Sequence, residues 1–246
     1  MSRTLTMLFA IVCYAIFFAT FLYLIVFVGD LALGVRTVDV GPEAAPLTAA
    51  IIDIALIALF GLQHSIMARP AFKAKWTRIV PPPAERSVYV LAASIALMIM
   101  FIGWHPIDQI VWNVTNPAAQ TIIWAVFWIG WATVLISTFL INHFELFGLQ
   151  QAWFNMRGHQ AEKPELRQPM FYRWVAHPLY AGFFLAFWAA PEMTLGHLLL
   201  AAGVSVYMLI AIRYEERDLT DLFGDDYRQY RAGVGGLVPR FRRRSV

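Results

Sequence analysis

Three short stretches of this chain carry residue types that can do chemistry, and each sits beside a long uncharged run. The first, INHFELFGLQQ at 141–151, places Asn142, His143 and Glu145 where an apolar segment ends. Ionisable groups at such a boundary are costly unless they have a partner or a task. The second, MFYRWVAHPLYAGF at 170–183, sets His177 before Pro178. Proline is tolerated in the first turn of a helix, where its missing N–H has no intrahelical acceptor in any case. The spacing therefore predicts a helix restarting at Pro178, with His177 at its amino end. Free N–H groups and the positive end of the dipole there suit a carboxylate or phosphate. A histidine that only caps an interfacial helix fits the same spacing. The third, RYEERDLTDLFGDDYRQYR at 213–231, groups Arg213, Glu215 and Glu216 with Tyr227 and Tyr230. An isolated Glu-Glu pair reads as a solvated helix end; Arg213 one turn away and the tyrosines beyond argue for more.

The elements that must position these groups are membrane helices. The 246 residues are 59% apolar and 14% charged, where a soluble domain has roughly a quarter charged. Uncharged runs at 5–29, 54–68, 87–106, 117–141 and 176–212 are of membrane length, since a span takes about 20 residues. The second run spans only with residues 48–53 included, which puts Asp53 inside the bilayer. The last is interrupted by Pro191, Glu192 and Gly196, so it divides into a hairpin, 172–190 and 195–213. The expectation is an all-α integral membrane protein of about six membrane helices, the last two a hairpin, with an amphipathic helix following. One membrane domain is expected over 1–246: four helices over 1–140, a connecting segment over 141–171, and the hairpin and tail over 172–246. Arg3 precedes an apolar run too long for a signal peptide, and the single cysteine excludes an internal disulfide framework.

All but Arg36 of the 19 Lys and Arg fall at the amino end, in loops two and four, or in the tail. The positive-inside rule then puts both termini and those loops in the cytoplasm, with a bacterial inner membrane the expected location. The RFRRRS tail suits anionic headgroups. On that cytoplasmic side, Asn142, Glu145 and Leu149 share a face if the helix continues. Asp53 and His64, eleven residues apart, lie about 20° from one face. His64 then stands level with His143, Glu145 and His177. Tyr14 and Tyr23, nine apart, point to opposite faces, so at most one lines a common cavity. Asp53 could equally be a buried carboxylate paired to a neighbouring helix, and His64 a satisfied interfacial histidine.

The later motifs resemble a known superfamily. His177-Pro178-x-Tyr180-x-Gly182 precedes the hairpin, then come Glu215-Glu216, Phe223-Gly224-x-x-Tyr227-x-x-Tyr230, and Val238-Pro239. This is similar to the integral-membrane S-adenosylmethionine methyltransferases that include isoprenylcysteine carboxyl and phospholipid methyltransferases. The resemblance implies S-adenosyl-L-methionine as cofactor, held by His177, Pro178, Tyr180, Gly182, Arg213, Glu215, Glu216, Tyr227 and Tyr230. Ala176 stands where that superfamily usually has Arg; Arg173 is the nearest substitute. Along nearly the whole chain, NHFELFGLQQAWF at 142–154 and QHS at 63–65 are similar to bacterial methanethiol S-methyltransferases and NnrU-like membrane proteins. That narrower resemblance implies a small thiol substrate and dimethyl sulfide as product. His64, His143, Glu145 and Asn142 are then the candidate catalytic groups, with Tyr14 and Asp53 on the substrate side. One of His64, His143 or Glu145 would accept the thiol proton.

These motifs call for no metal and no nucleic acid, and they leave partner proteins open. A lipid amine, a prenylated cysteine or another thiol is the alternative substrate. Haem ligation by the histidines, or a membrane scaffold, is the alternative outside enzymes.

Overall fold

The computed structural model describes residues 2–159, 166 and 168–240. Lys163, Arg167 and all of the basic tail beyond Arg240 lie outside the described residues. Among those described, five helices are long and apolar enough to cross a membrane. They are α1 (Arg3–Val28), α2 (Pro46–Ala68), α4 (Pro82–Gly103), α5 (Pro117–Ile141) and α9 (Leu195–Phe223). The protein is an integral membrane protein, nearly all helical. Short helices α3 (Pro70–Trp76), α6 (His143–Leu146) and α7 (Leu149–Arg157) lie in the connections, and α10 (Asp225–Gly233) follows α9. Prolines open α2, α3, α4, α5 and α8 (Pro178–Trp188), each at a position where the ring fixes φ without removing an intrahelical bond.

The hairpin differs from its sequence expectation in both arms. The first helical arm, α8, has only 11 residues, about 16 Å at 1.5 Å per residue, too short to span. The ring of Pro178 pushes the residue before it away from helical backbone. Accordingly His177 is non-helical at φ −129°, ψ 64°, and upstream of it Met170–Arg173 form a single 3-10 turn. The second arm, α9, runs ten residues past Arg213 to Phe223. It stops at Gly224, whose φ of +59° is accessible to glycine at little cost. The turn between the arms is also not bare. Strand β2 (Glu192–Thr194) pairs antiparallel with β1 (Ile110–Asn113), forming a two-stranded sheet that a purely helical reading omits.

Helix α8 is seated by close packing on α5. A Cβ at Gly182 would lie 2.7 Å from the Gly130 carbonyl oxygen and 2.9 Å from the Val134 amide nitrogen. A Cβ at Gly130 would lie 2.7 Å from the Ala186 nitrogen. Small residues let membrane helices approach this closely, since lipid provides no hydrophobic drive between them. The core between α1, α4, α5, α8 and α9 is aromatic and aliphatic, centred on Phe27, Trp104, Phe127, Trp131, Phe187 and Leu200.

Connections at one end of the bundle carry most of the basic residues; the other end carries the sheet and Asp30, Asp39, Asp108 and Glu192. Asp53 belongs to the acidic half. It is fully buried, and its Oδ1 accepts the His105 amide N–H at 3.0 Å just beyond the end of α4. Eleven residues of helix, about 16 Å, separate it from His64.

Candidate functional site

At the basic end the chain folds back on itself. The tail segment beyond α10 runs alongside the residues that precede Pro178. Ala176 N–H donates to Gly235 O at 2.8 Å, His177 N–H to Gly236 O at 3.2 Å, and Gly235 N–H to Trp174 O at 3.0 Å. The Tyr230 hydroxyl donates to the Tyr172 carbonyl at 2.8 Å. These bonds clamp the start of α8 to the end of the chain, so residues 55 or more apart in sequence converge.

His177 is 4% exposed, and its Nε2 lies 2.9 Å from Glu216 Oε1. It does not cap α8 with its side chain; the helix start serves to aim it at α9. Arg231 Nε donates to the same Glu216 oxygen at 2.5 Å. One carboxylate oxygen thus joins a histidine and an arginine. The neighbouring glutamate faces α8: Tyr180 donates to Glu215 Oε2 at 2.9 Å. Tyr227 is 2% exposed, and its hydroxyl has no protein partner. Burial, reinforced by the charges of Glu216 and Glu215, pushes that phenol well above its ordinary range. The Tyr230 phenol is pushed up to about 12 by burial.

Three residues of this half lie differently from what the motifs suggest. Arg213 is exposed, and the cation on Glu216 is Arg231, supplied by α10. Arg231 closes the quoted motif at 213–231, but only the fold-back of α10 shows that it faces Glu216. Arg173 is likewise exposed, so Arg231 is the guanidinium beside His177's partner. Gly182 points into α5 rather than toward the glutamates, and its Cβ space is filled by backbone.

A second polar group adjoins the first. His64 Nε2 lies 2.7 Å from the Tyr89 hydroxyl of α4, while its Nδ1 is buried without a partner. Phe60 stacks on the imidazole at 5.3 Å between centroids, and Tyr207 of α9 meets it edge-on at 6.3 Å. Tyr180 lies within electrostatic reach of both Tyr207 and Tyr89, so the His64 group and the glutamate pair share one region between α2, α4, α8 and α9. Arg86 stacks over the Tyr89 ring at 4.9 Å and donates to the Leu146 carbonyl at 2.7 Å. Arg69 at the end of α2 pairs with Asp218 at 3.0 Å, tying α2 to the polar extension of α9. Tyr89 and Arg86 carry no motif, which is why sequence reading passed over them.

The INHFEL stretch is organised differently from its expectation. The helix does not continue through Asn142; it breaks there, and Asn142 caps α6. Asn142 Oδ1 accepts the Glu145 N–H at 3.3 Å, and Asn142 Nδ2 donates to Glu145 Oε2 at 2.9 Å and Gln150 Oε1 at 2.5 Å. Their pairing comes from a capping turn, not a shared helical face. Glu145 is exposed. His143 is 3% exposed and bonded on both nitrogens, Nε2 to the Tyr14 hydroxyl and Nδ1 to the Thr138 hydroxyl, each at 2.8 Å. Burial holds its imidazole below the ordinary value, so it is neutral at pH 7. Tyr14 is therefore a partner of His143, and Tyr23 on the opposite face donates to Arg36 O near the acidic end. Asp53 is remote from all of these groups.

Two apolar grooves lie elsewhere. One of about 570 Å³ is lined by Trp112, Ile122, Val126, Phe184 and Trp188; one of about 430 Å³ is lined by Met7, Ile11, Phe144, Leu149 and Trp153. Neither is lined by His64, His177 or the glutamates.

Residues 53–234 match the family model described as NnrU protein. The chain is 47% identical to the methanethiol S-methyltransferase of Mycobacterium tuberculosis, covering 97% of this chain and 98% of that one. It is also 47% identical to methanethiol S-methyltransferase 1 of Bradyrhizobium diazoefficiens, covering 99% and 85%. A more distant relative is Nurim of Xenopus laevis, 27% identical over 68% of this chain and 61% of that one. No solved structure matches the chain. With three quarters of its length inside the family model and near-complete alignment to such relatives, the chain belongs to the NnrU family.

Proposed function

We propose that this protein methylates a small thiol, with methanethiol as substrate, dimethyl sulfide as product and S-adenosylmethionine as methyl donor. The observation that carries this reading is the bonded set His177–Glu216–Arg231 with Tyr180–Glu215, held at one end of a chain 47% identical to proteins of that name. The distribution of basic residues supports a cytoplasmic site in an inner membrane, with both termini on that side.

The donor set fits S-adenosylmethionine. Carboxylates at Glu215 and Glu216 suit hydroxyl, amino and sulfonium groups, Arg231 suits a carboxylate, and the Tyr227 hydroxyl is buried with no protein partner. His177, Tyr180 and Tyr230 complete the wall, and Pro178 fixes the start of the helix that presents it. When bound, the cofactor supplies a methyl group already activated on a sulfonium.

What remains for the chain is to bind, orient and exclude water. The aromatic surround of Phe60, Tyr89, Tyr180 and Tyr207 keeps the region poor in water, which strengthens electrostatic interactions inside it. Holding two reactants in near-attack geometry is worth about several kcal/mol. Of the polar groups expected to face the thiol, His143 is occupied on both nitrogens and Glu145 is engaged in a cap. That leaves His64, whose Nδ1 is free of protein partners, as the group best placed to meet substrate.

The test is headspace gas chromatography of cells expressing this chain and fed methanethiol, with Glu216→Ala as control. Dimethyl sulfide well above the control is expected. Product no higher than background sinks the methanethiol assignment, and methylation of an added prenylated cysteine or lipid amine instead would redirect it.

A further inference from the structure

The tautomer of His64 decides what that residue can do to a substrate. Tyr89 is 6% exposed, and a buried hydroxyl needs an acceptor for its proton. The hydrogen-bond partner found for the Tyr89 hydroxyl is His64 Nε2, at 2.7 Å. If Tyr89 donates, Nε2 is the acceptor, and the one proton of the neutral imidazole sits on Nδ1. The reverse assignment makes Nε2–H the donor and leaves two buried groups unmet, the phenol proton and the Nδ1 lone pair, where the first leaves only Nδ1–H. The further unmet group disfavours the reverse arrangement by roughly five-fold or more. Nδ1 is the buried atom without a partner. What His64 presents is therefore an N–H, which can give a hydrogen bond and cannot take a proton.

Charge around the group has the same sense. Arg86 stacks on Tyr89, is anchored by the Leu146 carbonyl, and lies within electrostatic reach of His64. An N–H donor beside a fixed guanidinium suits an anion. A thiol substrate becomes one by losing its proton.

We propose that His64 holds the substrate sulfur as a thiolate through Nδ1–H, and that Tyr89 is a positioning residue that fixes this tautomer; the role rests on the thiol-methylating reading above. The thiol proton passes to water before capture. The sulfur's electron pair then forms the new S–C bond, and the pair of the broken C–S bond stays on the donor sulfur. No protein group gains or loses a proton.

This assignment has a pH signature. The groups facing His64 are Arg86 and Tyr89 from α4, Tyr207 from α9, and Phe60 from α2, with Tyr180 and its partner Glu215 beyond them. With thiolate capture, kcat/KM for total thiol rises about ten-fold per pH unit through neutrality, following the substrate's own ionisation. With His64 as base, the profile levels off above the ordinary imidazole value of about 6.5.

The experiment uses the full chain purified in detergent with nitrogen-15 histidine, His64→Gln serving to assign the His64 signals. The wild type is expected to carry the proton on Nδ1 with Nε2 bare, and Tyr89→Phe to give a mixture of tautomers. His64→Gln, which offers an amide N–H but no base, is expected to keep kcat/KM within about ten-fold of wild type with an unchanged pH slope; His64→Ala loses more. Tyr89→Phe raises KM for the thiol several-fold, with binding of S-adenosylhomocysteine unchanged by calorimetry. A wild-type proton on Nε2 overturns the proposal. So does His64→Gln as inactive as His64→Ala while both bind S-adenosylhomocysteine normally. Absence of dimethyl sulfide from the wild type overturns the thiol reading and this role with it; product together with a proton on Nε2 overturns this role alone.

Discussion

Replacing His143 by Phe separates a structural pin from a catalytic base. The ring is 3% exposed and stacks on Phe139 with centroids 4.1 Å apart and planes 4° from parallel, a contact that Phe preserves. Both hydrogen bonds, to Tyr14 and to Thr138, disappear. Thr138 still donates to the Leu135 carbonyl at 2.7 Å, so Tyr14 is the group left short of its bond. At about 1 kcal/mol for each neutral bond, the cost is about 2 kcal/mol, or about 30-fold in the folding equilibrium. A pH effect accompanies it. Burial depresses the folded-state pKa of His143 below the unfolded 6.5, so the unfolded chain takes up a proton first as pH falls. The stabilisation is fully present above pH 6.5 and is lost as pH falls through the depressed value, with a slope of up to about 1.4 kcal/mol per unit. His143→Phe lacks that slope. Unfolding followed by tryptophan fluorescence in micelles between about pH 5 and 8 measures both effects, and dimethyl sulfide production measures turnover, expected within about two-fold of wild type. Unchanged stability with turnover down ten-fold or more, at normal S-adenosylhomocysteine binding, refutes the reasoning and restores His143 as a reacting group.

Gly182→Ala places a methyl 2.7 Å from one backbone oxygen and 2.9 Å from a backbone nitrogen, so about 1–3 kcal/mol of stability is lost, readable as a lower midpoint in thermal unfolding; a normal midpoint with weakened cofactor binding would mean Gly182 faces the cofactor after all. Arg231→Met removes a charge-assisted bond that is about one-third exposed, and S-adenosylhomocysteine binding is expected to weaken by roughly 5- to 30-fold in calorimetry, against less than about two-fold for Arg213→Ala. At the acidic end, burial pushes the Asp39 carboxyl up to about 6 even though Thr194 donates to it. Its folded pKa is raised, so stability is fully present below the unfolded value and is lost as pH rises through about 6; Asp39→Asn keeps the acceptor for Thr194 and should be the more stable form above that pH by about 1 kcal/mol or more. Asp53→Asn retains the oxygen that accepts the His105 N–H, and unchanged dimethyl sulfide production is expected from it; a ten-fold fall would return Asp53 to the substrate side.

Much of this architecture was legible in the chain because lipid is an unforgiving solvent. Every charge must be placed outside the bilayer, paired or used, so uncharged runs mark α1, α2, α4, α5 and α9 directly. Proline marked the start of α8 for an equally local reason, and Glu215-Glu216 stood out as acids at a helix exit. These are one-dimensional properties, set by each residue and its immediate neighbours.

What the sequence could not carry is which side chains meet. That α9 extends to Phe223 and that α10 folds back to bring Arg231 onto Glu216 depends on Gly224 and on tail bonds to residues 174–177, contacts across more than 50 positions. Helical spacing could not foresee that Asn142 would break its helix, because capping competes with helix continuation; past the break, Leu146 bonds to Arg86 and Gly148 packs on Ser87, contacts supplied by α4. Spacing put Asp53 and His64 on one face, yet face is not depth, and 16 Å of helix leaves Asp53 to the acidic end. The sequence by itself determined a helical membrane protein and where its long apolar helices run. Only the tertiary structure decided which histidine is pinned, which glutamate holds the arginine, and that His64 is left with a free nitrogen, since those outcomes are fixed by where neighbouring helices supply or withhold a partner.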